Sequence, residues 1–494
     1  MTIDLTRLGL LIPRRGGPET GKDKVDGTLI GYGETGEGVY LESPDAKQAA
    51  HFALFGGSGA GKSVLAGEAL VDEVTKTSPR NALRPALVVV DAAKGDLVAH
   101  VLKKLAKSAP ERLKHVSYLD PFADGGGFPF NLARLKLGKT PLDLRAQQLS
   151  HLVGDVSTAT GSQRHLGIGA RQLDVLAAVV LGALAVPHPR ASLLLAPDAL
   201  RDQKSQRLLG AVTENARARE FLLSANLSDE LRASTASRLR TAFASTDSLS
   251  RMIGSSGCIQ FDELTAPGTI TLVDLGRPIG GNSLRAFYAS LIARLLIEYL
   301  LERESPYEGH HCRVVIDECQ TIASVLSDRA EDILTTGRSK GLSLGLITQG
   351  TTLLQEASNT LLRTLLTNTR TRIVGRLGAP DAELFAREQS PSAGVDESVS
   401  SFRTRLSSTI TSLPDRQFLL LRPGSRTRFR SIDADLEGEI EAFEKAAEAI
   451  VEVKARHKVR GDEMPPMRLQ DLAPERSGSG PAAGAGGRRR SRWG

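Results

Sequence analysis

The chain has 494 residues, of which 40% are hydrophobic and 24% charged; this ordinary globular composition excludes a fibrous or wholly disordered polypeptide and suits one main domain carrying a large insertion. The net charge of +6 does not mark the folded body as basic, because residues 476–494 hold Arg476, Arg488, Arg489, Arg490 and Arg492 and no acid, so any basic path for nucleic acid must be local. Cys258, Cys312 and Cys319 fit neither a disulfide framework nor a zinc site, the N-terminal apolar run Leu8 to Ile12 is too short for a signal core, and Leu173 to Val186 is shorter than a bilayer span; a cytoplasmic protein without its own membrane anchor is expected.

In chain order, residues 1–50 are rich in glycine and charge, with small strands expected at Thr28 to Tyr32 and Gly38 to Leu41, a short β-rich N-terminal flap. From His51 the pattern becomes buried strands alternating with helices. Phe52 to Phe55, Ala86 to Asp91 and Val116 to Leu119 are apolar runs bounded by turn residues, as in a parallel sheet covered on both faces, and 51–135 reads as the first part of an α/β core. Over 136–262 strand signals vanish and helical periodicity takes over, so an inserted α-helical domain is expected. Within it Ser157 to Arg171, with Arg164, His165 and Arg171, is a candidate DNA-facing stretch or an ordinary solvent loop. Strands resume over 263–435, at Thr269 to Asp274, Arg313 to Asp317, Ser343 to Thr348, Arg372 to Arg376 and Gln417 to Leu421. A helix and extension follow over 436–473, and 474–494 reads as a disordered Arg-rich tail.

The residues that carry chemistry begin directly after the first core strand. Gly56-Gly57-Ser58-Gly59-Ala60-Gly61-Lys62-Ser63 has the G-x-x-x-x-G-K-[ST] spacing and leads through Val64 into a helical run. Glycines let successive N–H groups turn toward phosphate oxygens, and the helix N-terminus adds its positive dipole end. Lys62 would reach the β and γ phosphates of ATP and the Ser63 hydroxyl would bind Mg²⁺. Arg313-Val-Val-Ile-Asp-Glu318 is an apolar strand ending in two carboxylates. Asp317 would hold the metal, directly or through water, and Glu318 would accept a proton from the attacking water or orient it. Further on, Gln349 ends another buried strand, where it would sense the γ-phosphate or the attacking water; Arg338 is either an arginine finger for a neighbouring subunit or a surface arginine. Ala86 to Asp91 is a second strand ending in acid, with Asp91 and Lys94 as candidates to line the same cleft; the alternative is capping of the next helix by Asp96 or its neighbours. His310, His311 and Cys319 fit no metal geometry.

Taken together, GGSGAGKS, VVVDAAKGDL, VVIDECQ, GRSKGLSLGLITQ and NTRTRIVGRLGAPDA resemble the HerA/FtsK superfamily of P-loop ATPases, in its HerA and type IV secretion coupling (TraG/TraD-like) branch, over roughly residues 51–435. The resemblance implies a RecA-like core with an inserted helical domain, hexameric rings, and ATP-driven movement of double-stranded DNA. It implies the roles of phosphate binding, metal binding, water activation, trans arginine and γ-phosphate sensing for Lys62, Ser63, Asp317, Glu318, Arg338 and Gln349. HerA proteins usually carry a β-barrel before the P-loop, here squeezed into 1–50, and coupling proteins usually begin with membrane helices. A nuclease, relaxase or secretion partner fits such a motor. A ring whose ATP state gates a protein partner is the alternative, supported by the neutral body; a monomeric small-molecule kinase is a third. The aromatic content of 4% leans toward duplex rather than stacked single-stranded nucleic acid.

Overall fold

In the computed structural model the described residues are 27–42, 51–75, 84–124, 127–160, 169–276, 281–303, 311–327, 329–390, 398–433, 436–459 and 465–472. Their strands are β1 (Gly27–Gly33), β2 (Gly38–Glu42), β3 (Phe52–Phe55), β4 (Ala86–Asp91), β5 (Val116–Leu119), β6 (Ile270–Asp274), β7 (Cys312–Asp317), β8 (Leu342–Thr348), β9 (Thr371–Val374), β10 (Gln417–Arg422) and β11 (Ser425–Ser431). They form one sheet in the order β2-β1-β11-β10-β9-β3-β8-β7-β4-β6-β5. From β9 to β5 every pairing is parallel; from β9 to β2 every pairing is antiparallel. The fold is therefore α/β with a parallel-rich sheet.

The parallel strands are apolar on both faces because both are covered. Along β4, Ala86, Val88 and Val90 enter one core and Leu87 and Val89 the other, as strand alternation requires. The second core is closed by helix α1 (Lys62–Thr75) and helix α2 (Asp96–Ser108), which pack on each other. The first is closed by the long helix Gly281–Glu302 and by the helices between β5 and β6. Those helices include Leu142–Thr160, Ala170–Leu184, Gln203–Val212, Ala216–Ser224 and Asp229–Ala244. Side chains of Asp202, Asn215, Ser228 and Thr246 accept from backbone N–H groups at four helix starts in this region, satisfying donors that lack intrahelical partners. The Tyr288 hydroxyl donates to Ala242 O at 2.9 Å and joins this helical layer to the core.

Two differences from the sequence reading have local causes. The β1–β2 hairpin continues the sheet through β11, whose exposed alternate residues (Arg426, Arg428, Arg430) masked it as a strand. The region after Leu436 is two helices, Leu436–Lys445 and Ala447–Ala455, not one. The first packs on α2, and Ile450 and Val453 of the second enter the core on the α1–α2 face. Among the described residues no helix is long and apolar enough to cross a membrane.

Candidate active site

The parallel strands all present their C-terminal ends to one edge, where the loops after β3, β4, β7 and β8 surround a cleft of about 530 Å³, within the range of small-molecule sites. Ser58, Gly59, Gly61, Lys62, Ser63 and Val64 form one wall. The loop is built from backbone bonds to its neighbours: Gly56 N donates to Thr348 O (3.3 Å) and Gly57 N to Arg376 O (2.8 Å). Gly59 and Gly61 have φ of 80° and 89°, which side chains with a Cβ rarely adopt. Beneath them Arg416 N donates to Ala60 O at 3.2 Å, with Arg416 itself at φ 64°. The chain then enters α1. Lys62, buried at the helix start, donates from Nζ to Gly57 O at 3.2 Å. Burial holds its ammonium below the usual lysine range, opposed by the charges of Glu318 and Asp317.

Across the cleft stand Asp317 and Glu318, at the end of β7. Asp317 is buried and accepts from Glu318 N at 2.9 Å. Burial, with Asp91 and Glu318 beside it, pushes its carboxyl up to about 7. Glu318 has φ 52° and ψ 48°, a left-handed backbone unusual for a residue with a long side chain. Such strain persists only where the surroundings enforce it. Here it turns Glu318 off the strand direction, and its two carboxylate oxygens are held by separate amides: Gln349 Nε2 donates to Oε1 at 2.9 Å and Gln320 Nε2 donates to Oε2. The donor set fits a hard divalent cation, since a serine hydroxyl and a buried carboxylate crowded by other acids face each other over the phosphate loop.

The structure thus brings Lys62, Ser63, Asp317, Glu318 and Gln349 to one cleft. It sets Arg338 apart. Arg338 precedes β8 in the turn Gly337–Lys340, exposed, at the strand end opposite Gln349; the strand between spans roughly 20 Å. It cannot reach this chain's own cleft. Asp91 is chiefly a loop holder, accepting from the N–H groups of Gly95 (3.0 Å) and Leu97 (2.9 Å) at the start of α2. Lys94 lines the cleft. Cys319 is fully buried, which raises its thiol, and His310, Arg164 and His165 lie outside the described residues.

Sequence reasoning missed Gln320, whose spacing two residues after Glu318 was visible but whose role depends on the left-handed turn between them. It also missed Arg416, which only the strand order brings beneath the phosphate loop, and Ile440 and His100 on the cleft rim.

The family described as the TraM recognition site of TraD and TraG matches residues 311–425, from β7 to the start of β11. No curated protein matches the sequence. Among solved structures, the bacterial conjugative coupling protein TrwB (deltaN70, unbound) is similar over 83% of this chain and 89% of its own, at 16% identity and a TM-score of 0.51. VirB4 of Thermoanaerobacter pseudethanolicus is similar over 85% and 99%, at 15% identity and a TM-score of 0.55. The plasmid coupling protein TrwB in complex with ADP and Mg²⁺ matches over 84% and 90%, at 17% identity and a TM-score of 0.51. The β7–β11 segment thus matches the TraD and TraG family, the fold is shared with TrwB and VirB4, and the phosphate-loop and acid-pair motifs meet on one cleft.

Proposed function

We propose that this chain hydrolyses ATP with Mg²⁺ as a cytoplasmic homo-hexameric ring and uses the energy to move double-stranded DNA, in the manner of a coupling ATPase working with a relaxase, secretion or nuclease partner. The observation that carries this reading is the split of the motif residues: Lys62, Ser63, Asp317, Glu318 and Gln349 line one cleft while Arg338 stands at the far edge of the same sheet. An arginine in that position serves catalysis only in a neighbour's site.

In this site Gly56 to Val64 wrap the phosphates with backbone N–H groups and Lys62 binds the β and γ oxygens. Ser63 and Asp317 would hold Mg²⁺, which would supply charge neutralisation for γ-phosphoryl transfer. Glu318 receives the proton of the attacking water, with Gln320 and Gln349 fixing its carboxylate. Arg338 of an adjacent subunit stabilises the charge that builds on the transferring group.

A second reading is a ring whose ATP state gates a protein partner without moving DNA; the match of 311–425 to a partner-recognition family and the near-neutral body favour it.

Hydrolysis by the wild type and by Glu318→Gln, with and without linear duplex DNA across a salt series, separates the two. Stimulation by duplex that fades with salt, and an inactive variant, support the motor. An inactive variant with no DNA effect at any salt supports the gated ring. Mixing Glu318→Gln with Arg338→Ala subunits tests the shared site: each alone is inactive, and partial recovery on mixing requires that one subunit's arginine complete another's cleft.

A further inference from the structure

The loop after β4 carries a cation that the motif set leaves without a task. Lys94 lines the same cleft as Lys62, Ser63, Asp317, Glu318 and Gln349, and its charge is felt by Lys62. Because β4 lies directly beside β7 in the sheet, the loop borders the Asp317–Glu318 side of the cleft, where the terminal phosphate of a nucleotide held by Gly56 to Ser63 would lie.

The backbone under Lys94 is fixed to an extent that a solvent lysine does not need. Asp91, buried, accepts from Ala93 N (3.3 Å), Lys94 N (3.3 Å) and Gly95 N (3.0 Å) through Oδ1, and from Leu97 N (2.9 Å) through Oδ2. From the far side Arg285 Nη1 donates to Ala93 O at 2.6 Å. Gly95 turns with φ 75°, and the backbone of Gly276 approaches so closely that a Cβ there would lie 2.4 Å from the Lys94 carbonyl carbon. A buried carboxylate, a guanidinium and a glycine contact thus hold the three consecutive residues Ala93, Lys94 and Gly95. The ammonium they carry is exposed, and among the described residues no carboxylate forms an ion pair with it. A preorganised cation with no internal partner, facing a phosphate site, is arranged for a ligand's negative charge.

We propose that Lys94 is a second phosphate-binding cation acting in cis, directed at the terminal phosphate, so that the cleft distinguishes a nucleoside triphosphate from a diphosphate. This rests on the ATP reading above. Lys62 serves both nucleotides through the phosphates they share; Lys94 serves the one that only the triphosphate has. Asp91 and Arg285 are positioning residues for the loop.

The test is calorimetric binding of a non-hydrolysable ATP analogue and of ADP, with Mg²⁺, to the full chain as wild type, Lys94→Gln and Lys94→Arg. Lys94 is on the surface, so its replacement leaves the fold intact. The expected result is that Lys94→Gln weakens the ATP analogue about tenfold or more and ADP by less than about twofold, with Lys94→Arg recovering most of the difference. Equal weakening of both nucleotides, or no change in either, overturns the proposal while leaving the ATP reading in place. Failure of the wild type to bind either nucleotide overturns both.

Discussion

The two ends of β7 treat charge in opposite ways. Near its start, Arg313 is buried with its partners built in: Nε meets Glu73 Oε1 at 2.8 Å, Nη2 donates to Glu42 O at 3.1 Å, and the guanidinium lies 5.3 Å from the centre of the Phe52 ring. At its end, Asp317 is buried among other acids and lifted to about 7, with Glu318 turned into the cleft by a left-handed backbone. One strand therefore carries a charge paired within the core and, at its other end, carboxylates that face an open cleft. On the proposed function the first kind is structural and the second chemical, and burial alone does not tell them apart.

The sharpest way to break this contrast is at Glu318. Glu318→Gln keeps the shape and both amide neighbours but removes proton acceptance, and hydrolysis is expected to fall by about 10²–10⁴-fold with the melting temperature little changed. A steady-state rate beside a thermal melt checks it; a large loss of stability instead would place Glu318 with Arg313 as structure.

At the other end the expectation inverts. Arg313→Met removes the buried guanidinium that meets Glu73 and is expected to destabilise the fold by about 3–5 kcal/mol, read by urea unfolding. The double variant Arg313→Met with Glu73→Leu should recover most of that loss, because apolar groups then replace both members of the buried ion pair.

Asp317 gives an effect of intermediate size with a distinctive pH dependence. Its folded carboxyl titrates near 7, above the ordinary value of 3.8, so between those values the native state holds more protons than the unfolded chain. Stability contributed by the protonated group is therefore present below about 4 and lost as pH rises through about 7. Asp317→Asn, neutral throughout, is expected to stabilise metal-free protein at pH 8 by about 1–3 kcal/mol. The gain should shrink to nothing near pH 4, as melts across that range would show. A constant gain at every pH would mean that the carboxylate is not what strains this end.

How much of this was legible before the structure follows from what each feature depends on. The P-loop, the β7 acids and the alternation of strand and helix are local: spacing and apolar runs determine them, and Phe52 to Phe55, Ala86 to Asp91 and Val116 to Leu119 occur as strands with those bounds. What was hidden depends on sheet order or on a single dihedral. β11 is too polar to read as a strand until β10 and β1 flank it. Arg416 reaches the P-loop from far along the chain because the turn before β10 passes beneath Ala60. Asp91 lines the cleft, as its place at a strand end suggested, and its five backbone contacts, hidden in the sequence, also hold the loop that leads into α2.

Gln320 carries the smallest effect and the finest test of the contrast, because it sits between the two categories. Its amide lies two residues past Glu318 and meets the carboxylate only because Glu318 adopts the left-handed turn. If that turn exists to aim a catalytic group, removing the amide should leave the fold and nucleotide affinity nearly untouched and loosen only the aim. Gln320→Ala is then expected to lower the hydrolysis rate constant by about tenfold at unchanged KM, the loss of one charge-assisted hydrogen bond to a group that acts in the transition state. Gln349 still grips the other oxygen, which keeps the loss well short of that for Glu318→Gln. A change in KM or in melting temperature with the rate constant intact would assign Gln320 to the structural end of the comparison.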